Sequence, residues 1–447
     1  MPSKSSSGLG AVMQTMGGRV LFTLINAATG IITARALHPA GRGELAALGV
    51  WPNFLGAAMT FGLPSALIFW TRTEPKERSS LLWAALPITL LLGLFSTAVG
   101  IVGIPFWLSQ YSPYIIHMAQ LFMLNAFIVL LLAVARAASE AESDFFASSL
   151  ALCLTPLVTF FALIAIQVTR GLTPVSAAFG YIIGGIPSCA FLIFRLRHSF
   201  VNRPAHLFPS AKKLLNYGTR SYGVDLCGTL SLYADQAIVV HLLNPAAMGV
   251  YVVALSLSRT LNVIHQAVAS VLFPKAVALP IEKLLSVTGH ATRISTLCTT
   301  SCGVLVAVFG PVLLGLLYGR EYRGATVILN VLIAEVILTG ATLVLTRAFM
   351  ALGRPGLVTI LQSSGLVLSL PLLFWFVPKW GVLGASIALL TASVARFFLA
   401  LASFPLVLKQ PAPSLIPRTD EIRALIVRVR GAVAAILHLR SAEVAGV

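Results

Sequence analysis

Apolar runs of about twenty residues, separated by short breaks rich in glycine, proline or charge, repeat along this chain from residue 12 to residue 405. A hydrocarbon core about 30 Å thick needs roughly 20 mainly apolar residues per helical crossing. Runs of that kind fall at 12–36, 47–70, 80–105, 115–137, 146–168, 175–195, 216–243, 249–272, 291–317, 325–351, 356–377 and 381–405, which predicts twelve transmembrane helices. Helices satisfy their own backbone in lipid, and the alternation of a membrane β-barrel does not occur. The expected fold class is therefore an all-α polytopic membrane protein. The first run holds Arg19 and Asn26 and no convincing cleavage site, so it reads as a span and not as a removable signal.

Composition agrees: 57% of residues are hydrophobic and 10% charged, with a mean hydropathy of +0.92, well outside the range of soluble domains. The net charge of +17 has its explanation in topology. With the N-terminus cytoplasmic, 23 of the 31 Lys and Arg residues fall in inner connections, the termini and adjoining helix ends. Six (Arg35, Arg42, Arg170, Arg320, Arg323, Lys379) fall in outer connections, and Arg259 and Arg396 lie within spans. The positive-inside bias places both termini in the cytoplasm. No interleaved basic and aromatic surface points to nucleic acid. The five cysteines all lie in predicted spans, so no disulfide framework is expected. Cys298 and Cys302 share a helix face without a His or carboxylate beside them, so no metal and no cofactor is expected.

The chain repeats itself. "LHPAGRG" at 37–43 matches "LNPAAMG" at 243–249 with an offset of 206; "GLTPVSAA" at 171–178 matches "GVLGASIA" at 381–388 with an offset of 210; "VARA" at 134–137 matches "LTRA" at 345–348 with an offset of 211. Three matches in one order argue for duplication of a six-helix unit. Six is even, so the halves should be parallel repeats about an axis along the membrane normal. The expected division is 1–205 for the first bundle with the start of its linker, 206–410 for the second bundle, and 411–447 for a basic tail. Within that tail, 417–440 reads as an interfacial amphipathic helix or a partner-binding helix. Pro52, Pro64, Pro156, Pro187 and Pro371 mark bends within or near spans.

Ionisable residues inside spans are costly unless they face a wet cavity or a partner, which makes them the candidate functional groups. Arg19, Thr23, Asn26, Gly30 and Thr33 form one stripe on the first helix; Ser221, Asp225, Gly228, Leu232 and Asp235 form the matching stripe on the seventh. Arg19 and Asp225 read either as a charge pair closing a central cleft at its cytoplasmic end or as groups with local contacts. Arg259, with Asn262 and His265 within two turns, reads either as an anion-binding guanidinium or as an ion partner of Asp235. Arg396 is the other deep base. Glu335 is a candidate carrier of a coupling proton or a structural hydrogen-bonding group, and His265 a proton relay or a packing histidine. The expected cavity residues are Arg19, Asn26, Arg259, Asn262 and Arg396, and the expected coupling or gating residues Asp225, Asp235, His265 and Glu335.

Several phrases carry a family resemblance: "LHPAGRGELAALGVWPNFLGAAMTFGLPSALIFW", "YADQAIVVHLLNPAAMGVYVVALSLSRTLNVIHQAVASVLFPKAV", "LYGREYRGATVILNVL", "RAFMALGRP" and "KWGVLGASIALLTASVAR". Together, over about residues 10–405, the chain resembles the polysaccharide-transporter, or oligosaccharide flippase, branch of the multidrug/oligosaccharidyl-lipid/polysaccharide (MOP) exporter superfamily. The resemblance implies two six-helix bundles in a V with a cavity open to either side in turn. It also implies a flippase carrying an undecaprenyl-pyrophosphate-linked oligosaccharide across a bacterial inner membrane. The partners it implies are that lipid-linked sugar, membrane lipids, polymerase or assembly proteins, and H⁺ or Na⁺ as coupling ion. The alternatives are a cation-coupled multidrug exporter of the same superfamily, favoured by carboxylates in the cavity, and a transport-inactive scaffold recruiting a partner through its tail. An enzyme is not expected, for want of a phosphate loop, metal cluster or nucleophile motif.

Overall fold

The computed structural model describes residues 8–200, 207–276 and 279–415. The tail segment 417–440, the side chain of Arg19 and the boundary between 205 and 206 lie outside the described residues. Among those described there is no strand. The long helices are α1 (Gly8–Ala58), α2 (Leu63–Thr73), α3 (Arg78–Trp107), α4 (Pro113–Phe122), α5 (Leu124–Ala141), α6 (Phe145–Arg170) and α7 (Pro174–Leu196), then α8 (Leu207–Leu242), α9 (Pro245–Arg259), α10 (Asn262–Ala276) and α11 (Ile281–Val308). The one-turn α12 (Gly310–Leu313), α13 (Thr326–Ala351) and α14 (Pro355–Ser403) complete the chain.

Nine stretches among the described residues are long and apolar enough to cross a membrane. Two of them, Leu21–Thr73 and Pro355–Leu408, run to 53 and 54 residues, about 80 Å if straight, far more than one crossing needs. Each is broken near its middle. His38 has φ 58° and ψ 175°; it precedes Pro39, which clashes with a helical conformation of the residue before it and brings no amide donor of its own. Gly381 has φ 58° and ψ −134°, and Gly384 then packs against the backbone of Phe376 and Val377, so the chain folds back on itself. Helix α8 is not among the nine; Lys212, Lys213, Arg220, Asp225 and Asp235 dilute its apolar character. Counting each long stretch as two crossings and adding α8 gives the predicted twelve.

Capping explains where the other helices start. Ser112 accepts from the Ile115 amide, Asp144 from Ala147 and Asn244 from Ala247, while Thr173 and Ser176 form a reciprocal capping box. Pro113, Pro174, Pro245 and Pro355 sit in the first turns, where a missing amide costs nothing. The sequence repeat has conformational counterparts: Gly171 and Gly381, 210 positions apart, both take positive φ (75° and 58°), as do Ser143 and Gly353 (62° and 69°).

The two copies of the first repeated phrase lie against each other. A Cβ added at Gly43 would overlap the Pro245 carbonyl, and one at Gly249 would overlap the Pro39 carbonyl; each would also sit 3.0 Å from the other glycine's backbone nitrogen. Backbone therefore meets backbone across a local two-fold relation. Beyond it, Tyr251, Val253 and Met248 of α9 join Leu48 and Ala47 of α1 in the largest buried apolar cluster. Arg35 Nε donates to the Leu317 carbonyl at 2.8 Å, and the Tyr322 hydroxyl to the Ala34 carbonyl at 3.3 Å, fastening the same end. His38 Nδ1 lies 3.0 Å from Glu321 Oε1.

The opposite end is joined through α2 and α8. Phe61 stacks on Tyr222 with centroids 4.7 Å apart, and Phe69 on Tyr217 at 4.4 Å. Gly218 approaches the Phe61 carbonyl so closely that a Cβ there would lie 2.6 Å from it. Lys213 stands in the first turns of α8 and bonds Glu74 at 2.6 Å and Glu77 at 2.8 Å. Those two hydrogen bonds raise the pKa of its ammonium.

Replacing Gly43 or Gly249 by Ala forces these backbones apart, with an expected loss of about 1–3 kcal/mol, the usual cost of overpacking. Gly30→Ala, where nothing lies within 4 Å of the added carbon, is the control. Thermal unfolding in detergent checks this: both turn variants melt earlier than wild type and the control does not. Unchanged melting of both turn variants would contradict the close contact.

Candidate functional site

The deepest charges of the second half converge. Helix α9 ends on Arg259 and α10 restarts at Asn262, so the span bends where the guanidinium is delivered, at a helix C-terminus that favours positive charge. Arg259 Nη2 donates to Asp235 Oδ2 at 3.1 Å, and the buried Tyr251 hydroxyl donates to the same oxygen at 2.7 Å. Asp235 is 4% exposed, and its Oδ1 has no hydrogen-bond partner. From α13, Glu335 Oε1 accepts from Thr339 at 2.5 Å and from Ser393 of α14 at 3.0 Å. Arg396 Nη2 donates to the Thr339 hydroxyl at 2.8 Å. Gly365 makes room for that arginine, since a Cβ there would lie 2.9 Å from Arg396 Cδ.

Asp235, Arg259, Glu335, Thr339, Ser393 and Arg396 line one cavity of about 220 Å³, together with Asn262 and Ser369, with Tyr251 behind Asp235. It holds two guanidiniums and two carboxylates, a neutral set, which is what a low-dielectric surrounding requires of buried charge. Leu232 belongs both to this lining and to that of a cleft of about 530 Å³ between the halves, so the two spaces adjoin. Such an arrangement can bind a charged or strongly polar group by exchanging internal for external partners.

Of the residues singled out in the sequence, Arg259, Asn262, Arg396, Asp235 and Glu335 thus come together. Asp225 stands apart, in the cleft, where Ser65 of α2 donates to its Oδ2 at 3.3 Å; its pairing with Arg19 falls outside the described residues. Asn26 is exposed and donates to the Phe22 carbonyl of its own helix at 2.8 Å. His265 is fully buried with neither ring nitrogen bonded, its ring against Gly340. Tyr251, Thr339 and Ser393 escaped the sequence reading. Thr339 lies one helical turn after Glu335 and Ser393 three residues before Arg396, a spacing that could have flagged both; Tyr251 carried no such signal.

Twelve crossings, a polar intramembrane cavity and a cleft between two related halves define an all-α polytopic membrane transporter fold. The family model described as polysaccharide biosynthesis protein matches residues 32–327, and the chain belongs to that family. It is 25% identical over 225 residues to a probable low-salt glycan biosynthesis flippase of Haloferax volcanii, a match covering 49% of this chain and 47% of that protein. The match thus spans about half the length of that relative. Among solved structures, the lipid II flippase MurJ in an inward-closed conformation superposes with a TM-score of 0.73 at 15% identity, covering 89% of this chain and 87% of that one. An inward-facing multidrug resistance MATE family transporter of the MOP superfamily superposes with a TM-score of 0.65 at 18% identity, covering 88% and 96%. Both likenesses are of fold.

Removing one member of the Arg259–Asp235 pair strands the other in the membrane interior. Arg259→Met or Asp235→Leu is expected to cost roughly 2–5 kcal/mol, and the double variant less than the sum. A double-mutant cycle by denaturant unfolding in detergent measures this. Strict additivity would show that the two side chains act independently.

Proposed function

We propose that the protein is a flippase carrying an undecaprenyl-pyrophosphate-linked oligosaccharide from the cytoplasmic to the outer leaflet of the inner membrane, with both termini cytoplasmic. Its halves close alternately at the turn end and at the linker end. The observation that carries this reading is the pair of guanidiniums, Arg259 and Arg396, in a polar cavity opening beside the cleft between halves. Family membership and the flippase among its relatives support it.

The chemistry follows from the barrier. A pyrophosphate-linked sugar cannot enter hydrocarbon unaided, because each charge and hydroxyl would lose its hydration. Guanidinium groups replace that hydration with paired, charge-assisted hydrogen bonds while the polyprenyl tail stays in lipid. Asp235 engages Arg259 directly, and Glu335 is linked to Arg396 through the Thr339 hydroxyl, so the charges of the cavity balance. An incoming pyrophosphate takes over Arg259 and leaves Asp235 with Tyr251. Protonation of the displaced carboxylate is one way for an ion gradient to drive the cycle. No covalent step is needed, and only a modest difference between the two closed states lets the substrate shift their populations.

Reconstituted protein should expose a defined undecaprenyl-pyrophosphate oligosaccharide on the far leaflet of proteoliposomes. Loss of one charge-assisted contact costs about tenfold or more, so Arg259→Ala and Arg396→Ala should each slow exposure by at least that much with folding intact. Export of a cationic dye with no sugar-lipid movement would move the assignment to the multidrug exporters, for which Asp235 and Glu335 would supply the binding groups.

A further inference from the structure

A second polar cavity, of about 280 Å³, lies in the first half between α1, α5, α6 and α7, with α8 closing one side. Its polar lining comes from Arg42, Asn53, Asn125, Thr155 and Tyr181, and from Tyr233 and Gln236 of α8. The chemistry differs from that of the charged cavity: no carboxylate faces it, and carboxamides and phenols dominate. Tyr233 also lines the cleft between the halves, so this cavity too adjoins the central space. Successive faces of α8 thus present Asp235 to the charged cavity and Tyr233 and Gln236 to the amide-lined one.

Arg42 is the anomaly. The sequence places it in a solvent-facing outer turn, yet its side chain is 9% exposed. No hydrogen bond or ion pair to it occurs among the described residues, and its Nε is buried without a partner. Across the turn, Glu321 is engaged by His38. A buried guanidinium is normally paired, because an unpaired one forfeits its hydration for nothing. Asn53 and Asn125 likewise have amides with no hydrogen bond to a described residue, whereas Gln236 is held by the Leu232 carbonyl at 3.4 Å. One open cation and two open carboxamides around a single cavity call for a ligand that brings both an anion and several hydroxyls.

We infer that this cavity is a subsite for one sugar ring bearing an anionic substituent, carboxylate or phosphate, with Arg42 holding the anion and Asn53, Asn125 and Tyr181 the ring hydroxyls. The assignment rests on the flippase reading and adds to it a preference for acidic oligosaccharide heads. The volume fits: ligand cavities run from roughly 300 Å³ upward, so this one takes a ring and not a whole oligosaccharide. Arginine matches either anion through its planar fork, and carboxamides offer the donor and acceptor pair that vicinal hydroxyls need. Arg42 is next to Gly43, so an anion bound there sits beside the contact that joins the two halves.

The test is equilibrium binding to the purified full chain in detergent, by calorimetric titration. The probes are a glucuronate-containing disaccharide, the matching neutral disaccharide, glucose 1-phosphate and inorganic phosphate. An acidic sugar should bind at least about tenfold tighter than the neutral one, and Arg42→Gln should erase that preference while Arg42→Lys keeps part of it. Asn125→Ala and Asn53→Ala should weaken both sugars severalfold, and they carry the test if Arg42→Gln does not fold. Preference for the uronate identifies a carboxylate and preference for glucose 1-phosphate a phosphate; either supports the subsite. Equal binding of acidic and neutral sugars, inorganic phosphate binding as tightly as the acidic sugars, or no saturable sugar binding overturns it. Translocation that persists while this signal is missing removes the subsite and leaves the flippase; the reverse pattern removes the flippase and leaves a sugar site.

Discussion

Two backbones pressed together at Gly43 and Gly249 hold the molecule in the form described. Each glycine faces the carbonyl of the other repeat's proline, Pro245 and Pro39, with no space for a side chain between them. Around it Tyr251 and Val253 of α9 pack with Leu48 of α1 in the buried apolar core, so the joint opens or closes as a unit. The fastenings from Arg35 and Tyr322 lie at the same end, while stacked aromatic rings join α2 to α8 at the other. The two polar cavities and the cleft lie between these two joints.

Electrostatics imposes the second constraint. Four charged side chains within one small cavity are tolerable in lipid only as a balanced set. Arg259 with Asp235, and Arg396 with Glu335 through Thr339, achieve that balance. The same balance makes the site responsive: an anion that engages Arg259 competes with Asp235 for it, and so acts on the contact between α8 and α9. In the first half, Arg42 has no internal counter-ion among the described residues, which makes the two cavities chemically unequal.

The crossings were legible because lipid dictates twenty-residue apolar runs, and the turns because proline and glycine end helices wherever they occur. Repetition of "LHPAGRG" as "LNPAAMG" announced related halves, although not that the two copies would touch. The break after Arg259 left no clear mark, since the residues there are ordinary helix formers, whereas Gly62 and Pro64 flag the one after Ala58. Asp235, Arg259, Glu335 and Arg396 could be picked out singly because charge is rare in such a chain. Their partners Tyr251, Thr339 and Ser393 could not, because hydroxyl residues are common and pairing across helices depends on packing that no local pattern encodes. Arg42 was read as an outer-turn cation for the same reason: burial of a turn depends on what the other repeat places over it.

If the two joints close in alternation, locking one of them stops the cycle. Cysteines placed at Ala40 and Ala246, adjoining the paired prolines, in a chain lacking the five native cysteines, can be joined by a short bifunctional thiol reagent. The cross-linked protein should stop moving the sugar-lipid between leaflets, whereas the same protein treated with a monofunctional thiol reagent keeps moving it. Undiminished movement with the turns joined would contradict alternate closure, because the cleft would then never need to open at that end.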